Sequence, residues 1–457
     1  MVFFGENLDE SSTMSEDNEI LLRRAPRFTG YDNSRKQVYP MSQGSCSDQK
    51  IADNGTNRDS INEIKESILE ACLSSIPQRK LGRGKLSLPA FVFDIDGVFK
   101  NGGKYAEFGA KAIRKLQRAH IPYVFMTNGG GGRTEKQYAE VMNEKLSQFD
   151  SERRGPAEYV RENQMILSYT PFRTHLTHLK NEPVLIVGCP RAIHTARKYG
   201  FTRAMALSEY ARRHPTMNPF KKGGCEKDGK VITTGIKERW NENFRAVLVF
   251  TDPQDFFEAL QIVTDVLLSS RPGEQEFEPS HRIPIVFSNP DLLWKTQYAH
   301  ARFGQGAFRL SLEACYKARM QAMGLNREEI DDRLNDFIQF GKPEPAQFIH
   351  ARTAALTQAE GKGQDGCSIS HFYMVGDNPR SDITGAVRMQ KLVAESKNER
   401  AHGWSGMLVK TGVWQEGDDT MGASEIHRNV VDVIDAVLKR HKREIAQFTN
   451  TIEAMRL

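Results

Sequence analysis

Short, fully apolar runs alternate with amphipathic stretches along most of the chain. The first run, Ala90 to Phe93, predicts a strand that is buried on both faces, as in a parallel sheet. A helical stretch (110–119) and a second apolar run (121–126) follow it. Together they predict a βαβ unit whose two strands are parallel neighbours. The pattern is that of an α/β protein.

A second α/β pattern follows, and then the first one resumes at residue 341. The middle pattern predicts strands and helices at 184–187, 191–199, 246–250, 254–269 and 283–287, and a long helical region at 307–338. The resumed pattern predicts a helix, two strands and a final amphipathic helix at 346–356, 372–375, 406–409 and 430–438. Polar residues dominate the first 57 positions, which predicts a largely disordered leader, with a short helix over 58–75.

Two carboxylates, Asp94 and Asp96, directly follow the first predicted strand. Ligands of α/β sheets bind at the carboxyl ends of strands, and two close anions there need a cation. One aspartate would be a metal ligand and nucleophile, and the other a proton carrier. Taken alone, the segment is equally typical of a strand that ends in an ordinary Asp-Gly turn.

The second strand stops at Thr127-Asn128, which four glycines follow (129–132). Glycines let backbone N–H groups approach a ligand closely, and the Thr127 hydroxyl can hydrogen-bond an anion. A helix predicted over 134–146 would direct its amino terminus to the same place. The glycine run lacks the lysine of a nucleotide-binding loop, and a flexible turn without a ligand is the alternative interpretation.

Three later segments add polar groups to the pattern. Lys342 lies just ahead of a predicted helix, although a lone lysine is usually a solvated charge. Asp377 follows the strand at 372–375, and Asp382 comes five residues later. The segment 288–291 either faces a substrate or caps a following helix, and the helix-cap interpretation is slightly favoured.

Composition excludes several classes of protein. The 457 residues, 39% hydrophobic and 26% charged, indicate a soluble globular protein of two or three domains. A net charge of +5 gives no argument for a nucleic-acid partner, and no apolar run approaches the roughly 20 residues of a membrane span. The six cysteines are far apart, which favours reduced thiols and argues against zinc. The sequence leaves formation of a homo-oligomer open.

The motifs Asp-Ile-Asp-Gly-Val, Thr-Asn-Gly-Gly, Gly-Lys-Pro and Gly-Asp-Asn-Pro-Arg-Ser-Asp occur in this order. They resemble the four motifs of the haloacid dehalogenase (HAD) superfamily of aspartate-nucleophile phosphohydrolases, and the resemblance runs from about 88 to 438. The segments 287–294, 302–309 and 408–419 are similar to subfamily IIA and its eukaryotic cat-eye-syndrome critical region 5 group. Gly129 departs from the second asparagine that is typical of that subfamily.

The resemblance implies a Mg²⁺-dependent phosphatase that acts on a small phosphorylated metabolite. It assigns the nucleophile to Asp94, the proton carrier to Asp96, phosphate binding to Thr127 and the backbone around Asn128 and Gly129, and charge compensation to Lys342. The metal ligands would be the Asp94 carboxylate, the Asp96 backbone carbonyl and Asp377, with Asp382 in an outer position. It also implies a mitochondrial location and a link to glycerophospholipid metabolism, whereas the acidic amino terminus favours the cytoplasm.

Spacing predicts an inserted cap domain. Thr127 and Lys342 are 215 residues apart, far more than one crossover needs. We therefore predict a leader (1–84), a Rossmann-like core (85–180 and 339–440) and an α/β cap (181–338) that covers the site and sets specificity. The candidate substrate contacts in the cap are Asn289, Asp291 and Arg302.

Three other functions compete with the phosphatase hypothesis. A dehalogenase has no use for an acid at Asp96, because halide leaves unprotonated, and a transport ATPase needs membrane spans. A catalytically weak HAD-fold binding or scaffold protein is the remaining alternative. The intact set Asp94, Asp96, Lys342 and Asp377 argues against it.

Overall fold

A computed structural model describes residues 56–74, 86–151, 158–218, 226–227, 230–231, 242–360, 367–395 and 402–455. Most of the predicted leader lies outside these residues, and the described residues form one compact unit. The described strands are β1 Leu86–Phe93, β2 Lys100–Asn101, β3 Lys104–Tyr105, β4 Tyr123–Met126, β5 Met165–Ile166, β6 Val184–Val187, β7 Ala204–Ala206, β8 Glu226–Lys227, β9 Lys230–Val231, β10 Ala246–Val249, β11 Ile285–Phe287, β12 Leu293–Trp294, β13 Arg302–Phe303, β14 Phe337–Gln339, β15 Cys367–Gly376, β16 Gly403–Val409 and β17 Glu425–His427. The helices are α1 Thr56–Ser74, α2 Gly109–Arg118, α3 Glu135–Ser147, α4 Phe172–His175, α5 Ala192–Lys198, α6 Leu207–Arg213, α7 Phe256–Leu268, α8 Gln305–Ala322, α9 Arg327–Leu334, α10 Pro345–Glu360, α11 Thr384–Glu395, α12 Val430–Arg440 and α13 Lys442–Met455.

The first sheet, which we call the core sheet, has six parallel strands in the order β17-β16-β15-β1-β4-β5. Its central strand β1 pairs with β15 on one side and β4 on the other, so that Phe91 lies between Tyr373 and Tyr123. The side chains of 90–93 are fully buried, as predicted for a strand covered on both faces. The βαβ unit and the parallel pairing are confirmed.

The second sheet, the cap sheet, has five parallel strands in the order β14-β11-β10-β6-β7. All five lie between Thr127 and Lys342 in the sequence. One face of the sheet packs in a separate hydrophobic cluster, and the other face joins the main cluster of the protein. An α/β fold with a Rossmann-like parallel core and an α/β unit inserted between the second and third motifs is therefore confirmed. The boundaries at 180/181 and 338/339 stay predictions.

Two predictions about the inserted unit are wrong. The helical region over 307–338 is two helices, α8 and α9, followed by strand β14. Gly324 separates the helices with φ of +90°, and the Asn326 side chain then accepts a hydrogen bond from the Glu329 N–H to cap α9. The helix-cap interpretation of 288–291 also fails, because strand β12 comes next and α8 begins only at Gln305.

The helix predicted over 58–75 is confirmed as α1, and it packs against the rest of the unit. Ile61 and Ile64 are buried in the main hydrophobic cluster, and the Ser67 hydroxyl hydrogen-bonds the His175 ring at 2.9 Å. These contacts attach α1 to α4 and α10. Among the helices described, none combines the length and the apolar character that crossing a membrane requires.

Candidate active site

Both sheets direct strand ends into a single cleft of about 280 Å³. From the core sheet, Asp94 follows β1, Thr127 follows β4 and Asp377 follows β15. From the cap sheet, the segment 250–252 follows β10 and Asn289 lies just after β11. The cleft therefore has a core side and a cap side, each built from the carboxyl ends of parallel strands, which is where α/β proteins bind ligands.

A buried cluster of charges lies on the core side. The Lys342 ammonium group forms a short ion pair with Asp94, and it lies 2.8 Å from Oδ1 of Asp382. Carboxylate oxygens of Asp94, Asp377 and Asp382 all lie within 4.8 Å of one another. These four residues are 5% exposed or less, so water screens their charges poorly.

Burial and mutual repulsion perturb this cluster. Burial raises the pKa of Asp94 well above its usual range, and the ammonium of Lys342 only partly offsets this effect. Burial, and then the nearby Asp382 carboxylate, raises the pKa of Asp377 to about 7. Burial disfavours the charged form of Lys342 too, but the carboxylates of Asp382 and Asp94 outweigh it and raise its pKa. One ammonium group faces three carboxylates, which makes the cluster a favourable place for a further cation.

Two glycines make room for the Asp377 side chain. Gly97 has φ of +85°, and a Cβ atom built there, or on Gly412, would collide with the Asp377 carboxylate. The Val413 N–H also donates a hydrogen bond of 2.7 Å to Oδ2 of Asp377. The loops after β1 and β16 therefore close around this carboxylate and fix its position.

Asp96 and Thr127 lie beside the cluster. The Asp96 carboxylate forms an ion pair of 3.1 Å with Lys100, and its side chain keeps 31% exposure, so it can exchange protons with solvent. The Gly129 N–H donates a hydrogen bond of 2.9 Å to the Thr127 hydroxyl. A Cβ built on Gly129 would lie 3.3 Å from Thr127 Oγ1 and 3.5 Å from Asp96 Oδ2, so the three residues share one corner of the cleft.

The Asn128 side chain forms hydrogen bonds to two other segments of the site. Its Oδ1 accepts a hydrogen bond of 2.7 Å from the Lys342 N–H, and its Nδ2 donates one of 2.9 Å to the Lys342 carbonyl. The same Nδ2 donates a bond of 3.1 Å to Oδ2 of Asp291. This amide group therefore joins the loop after β4 to Lys342 and to the cap.

The structure brings two of the three predicted cap contacts to the cleft. Asn289 and Asp291 line it, and the Asn289 side chain accepts a hydrogen bond of 2.7 Å from the Asp291 N–H. Burial raises the pKa of Asp291 to about 7, although Lys342 and Asn128 counteract it. Arg302 does not line the cleft. It is exposed on β13, and its guanidinium lies 4.9 Å from the centre of the Tyr298 ring.

Sequence reasoning missed several residues that line the cleft: Lys100, Arg133, Tyr138, Phe250, Thr251, Asp252, Trp294 and Gln305. A signal existed for Asp252, because it stands just beyond a predicted buried strand, as Asp94 does. No comparable signal marks Trp294. It belongs to the short hairpin β12–β13, whose position depends on how the cap sits over the core.

Two parallel sheets that share one cleft, with an aspartate–lysine cluster on one side of it, are typical of an enzyme with a Rossmann-like core and an inserted cap. The chain belongs to the haloacid dehalogenase-like hydrolase family, whose model matches residues 91–202. The mitochondrial hydrolase YKR070W of Saccharomyces cerevisiae is 33% identical to it over 373 residues, which cover 77% of this chain and 94% of the yeast protein. The family resemblance and the prediction of a hydrolase are confirmed.

Two further proteins are similar to this chain. A cardiolipin synthase (CMP-forming) / mitochondrial hydrolase fusion protein of Schizosaccharomyces pombe is 29% identical over 359 residues, covering 77% of this chain and 53% of the fusion protein. A solved structure of a possible sugar phosphatase from Cytophaga hutchinsonii is 16% identical and aligns with a TM-score of 0.49 over 76% of this chain and 95% of that one.

Proposed function

We propose that this hydrolase is a phosphatase that cleaves a small phosphate monoester through an aspartyl-phosphate on Asp94. The observation that carries the proposal is the convergence of Asp94, Lys342, Asp377 and Asp382 in a buried cluster at the carboxyl edge of the core sheet. A buried carboxylate next to a lysine suits attack on phosphorus, because the lysine offsets the charge that phosphate brings.

The chain's own residues divide the chemistry between them. A carboxylate oxygen of Asp94 forms a bond to phosphorus while the ester oxygen leaves, and Asp96 gives that oxygen its proton. Asp96 then takes a proton from water, which attacks the aspartyl-phosphate and restores Asp94. The Thr127 hydroxyl and the backbone N–H groups of Asn128 and Gly129 would hold the phosphate oxygens, and the Gly129 N–H would exchange its present bond to the Thr127 hydroxyl for one to phosphate. The exposure of Asp96 suits a group that must change protonation state twice in each cycle.

The donor set fits Mg²⁺, which prefers oxygen ligands. The carboxylates of Asp94 and Asp377 and the backbone carbonyl of Asp96 would hold it, and it would neutralise charge on the phosphate oxygens. Both oxygens of Asp382 already have partners, Lys342 Nζ at 2.8 Å and the Asn378 N–H at 3.1 Å. This arrangement supports an outer position for Asp382, where it orients the lysine instead of binding the ion.

The cleft and the relatives support a class of substrate and a compartment. A cleft of about 280 Å³ under a cap suits a small phosphorylated metabolite and leaves no room for a folded phosphoprotein. The name of the yeast relative supports the mitochondrion as the compartment. Fusion with a cardiolipin synthase in the fission-yeast relative supports a link to glycerophospholipid metabolism. A cytoplasmic enzyme is the alternative that the acidic amino terminus favours.

Phosphate release from p-nitrophenyl phosphate, with Mg²⁺ and with a chelator, tests the proposal. We expect Mg²⁺-dependent turnover that Asp94→Asn abolishes without lowering the melting temperature, since the amide has the same shape. Asp435→Asn is the matched control, because Asp435 pairs with Lys115 on the surface. More than a few per cent of residual activity in Asp94→Asn would refute the nucleophile assignment. A wild-type protein without turnover would instead favour the binding or scaffold protein.

A further inference from the structure

Five aspartates line the cleft, and their carboxylates differ in their hydrogen-bond and ion-pair partners. Four have a partner: Asp94 pairs with Lys342, Asp96 with Lys100, Asp291 with Asn128, and Asp377 with the Val413 N–H. The fifth is Asp252. Within the described part of the chain, no other residue forms a hydrogen bond or an ion pair with its carboxylate.

An unpaired carboxylate in this position is costly. Oxygen Oδ1 of Asp252 is buried, and burial raises the pKa of the group. A buried polar atom without a partner lowers stability, so a folded protein retains one where function requires it. The terminal torsion of an aspartate is soft, and either oxygen can turn toward a hydrogen-bond donor in the cleft. The Asp252 carboxylate is thus available to a ligand.

The position of Asp252 indicates which part of a substrate it meets. It follows β10 of the cap sheet, whereas the phosphate-binding and nucleophilic groups follow strands of the core sheet. The preceding residue is anchored, because the Thr251 hydroxyl accepts a hydrogen bond of 2.8 Å from the Cys189 N–H. With the phosphate held on the core side, Asp252 faces the organic part of the ester.

The other charges on the cap side do not favour an acidic substrate. Among the described cap residues that line the cleft, Lys295 is the only cation, and its ammonium group donates a hydrogen bond of 3.1 Å to the Ala299 carbonyl. Arg133 also lines the cleft, but it belongs to the core loop that carries Thr127. A carboxylate on the organic part would therefore meet the anion of Asp252, with Lys295 as the one described cap cation in the cleft to offset it.

We infer that Asp252 is a specificity-determining residue that selects phosphate esters whose alcohol part carries hydrogen-bond donors, either hydroxyl or ammonium groups. The same anion rejects esters that carry a carboxylate there. This inference rests on the proposed phosphatase function and adds the substrate class to it. A carboxylate that accepts a hydrogen bond contributes more than a neutral acceptor does, and a site left with an unpaired charge discriminates strongly.

Four phosphate esters of similar size test the inference: glycerol 3-phosphate, O-phosphoethanolamine, propyl phosphate and phosphoglycolate. For the wild-type enzyme we expect kcat/KM to be higher for one of the two donor-bearing esters than for propyl phosphate, and lowest for phosphoglycolate. Asp252→Ala should reduce the ratio of kcat/KM for that ester to kcat/KM for propyl phosphate by about 10- to 100-fold. Asp252→Asn separates the two donors, because its carbonyl still accepts from a hydroxyl but no longer attracts an ammonium group.

Two controls separate selection from a structural role. Asp255→Asn makes the same charge change three residues away, on a side chain that caps α7 and is exposed, and should keep the wild-type ratio. Both Asp252 variants should melt at a higher temperature than the wild type, because a buried carboxylate oxygen without a partner is removed. A lower melting temperature with equal losses on all four esters, or an unchanged ratio, would overturn the inference while Asp94-dependent turnover stood. Absence of turnover on every ester, including p-nitrophenyl phosphate, would overturn the proposed function and this inference with it.

Discussion

Replacing Asn128 with alanine tests how the active site is held together. The Asn128 side chain is buried and makes three hydrogen bonds, two to the backbone of Lys342 and one to Asp291. At about 1 kcal/mol for each bond, the substitution should lower the free energy of unfolding by about 3 kcal/mol. The activity should fall further than the stability implies, because Lys342 loses the contacts that position it beside Asp94. A displacement of about 1 Å in a catalytic group costs roughly 100-fold in rate.

Asn143 on helix α3 offers a matched control. Its side chain also makes three hydrogen bonds to backbone groups, accepting from the N–H groups of Tyr159 and Val160 and donating to the Val160 carbonyl, but it does not line the cleft. Urea unfolding of Asn143→Ala should show a similar loss of stability. Its kcat at a temperature where the protein stays folded should equal that of the wild type.

Steady-state kinetics on several phosphate esters show whether the Asn128 side chain positions Lys342 or contacts the substrate. If the Asn128 side chain positions Lys342, Asn128→Ala should lower kcat by a similar factor on every ester, with KM little changed. A loss that differs strongly from ester to ester, or one that appears only in KM, would show that this amide contacts the substrate. Equal kinetic losses in Asn143→Ala would mean that lower stability alone explains the effect.

Two further predictions follow from other aspartates. Asp96→Asn should slow cleavage of alkyl phosphates by roughly 10²- to 10⁴-fold and of p-nitrophenyl phosphate less, because nitrophenolate needs no acid to leave; equal losses in the rate of intermediate formation would contradict its role as the acid. Burial raises the pKa of Asp265 on α7 to about 6, despite the nearby Arg319. A raised pKa in the folded state stabilises the fold below the unfolded value of about 4, and this contribution is lost as the pH rises through 6. Asp265→Asn should therefore unfold at higher urea concentration than the wild type above pH 6, and a constant difference from pH 4 to 8 would contradict the assignment.

The core side of the cleft could be predicted because its residues stand where apolar runs stop. Asp94, Thr127 and Asp377 each follow a buried strand, and parallel strands place their carboxyl ends at one edge of the sheet. The contact between Lys342 and Asp382 could not be predicted in the same way. It depends on an irregular turn at 379–383, where backbone hydrogen bonds span five residues and return Asp382 to the cluster.

The cap side was harder to predict, because both the end of a strand and the direction in which the cap sheet points that end must be known. A strand pattern says where β10 ends, but it does not say that the cap sheet directs this end toward the core. Asp252 was missed for that reason, although its local pattern matches that of Asp94. Arg302 was chosen from its sequence neighbourhood, yet the two-residue strand β13 leaves its side chain exposed over Tyr298.

The pairing of β1 with β15 has a consequence for synthesis on the ribosome. Phe91 and Tyr373 are partners in the central pair of the core sheet, and 282 residues separate them in the sequence. The five strands of the cap sheet are made within that interval. The insert can therefore fold as the chain emerges, before β15 has been made and can pair with β1. Asp94 can meet Lys342 and Asp377 only after residue 377 has left the tunnel. A chain that stops before residue 377 therefore cannot assemble the cluster, although it can still contain all five strands of the cap sheet.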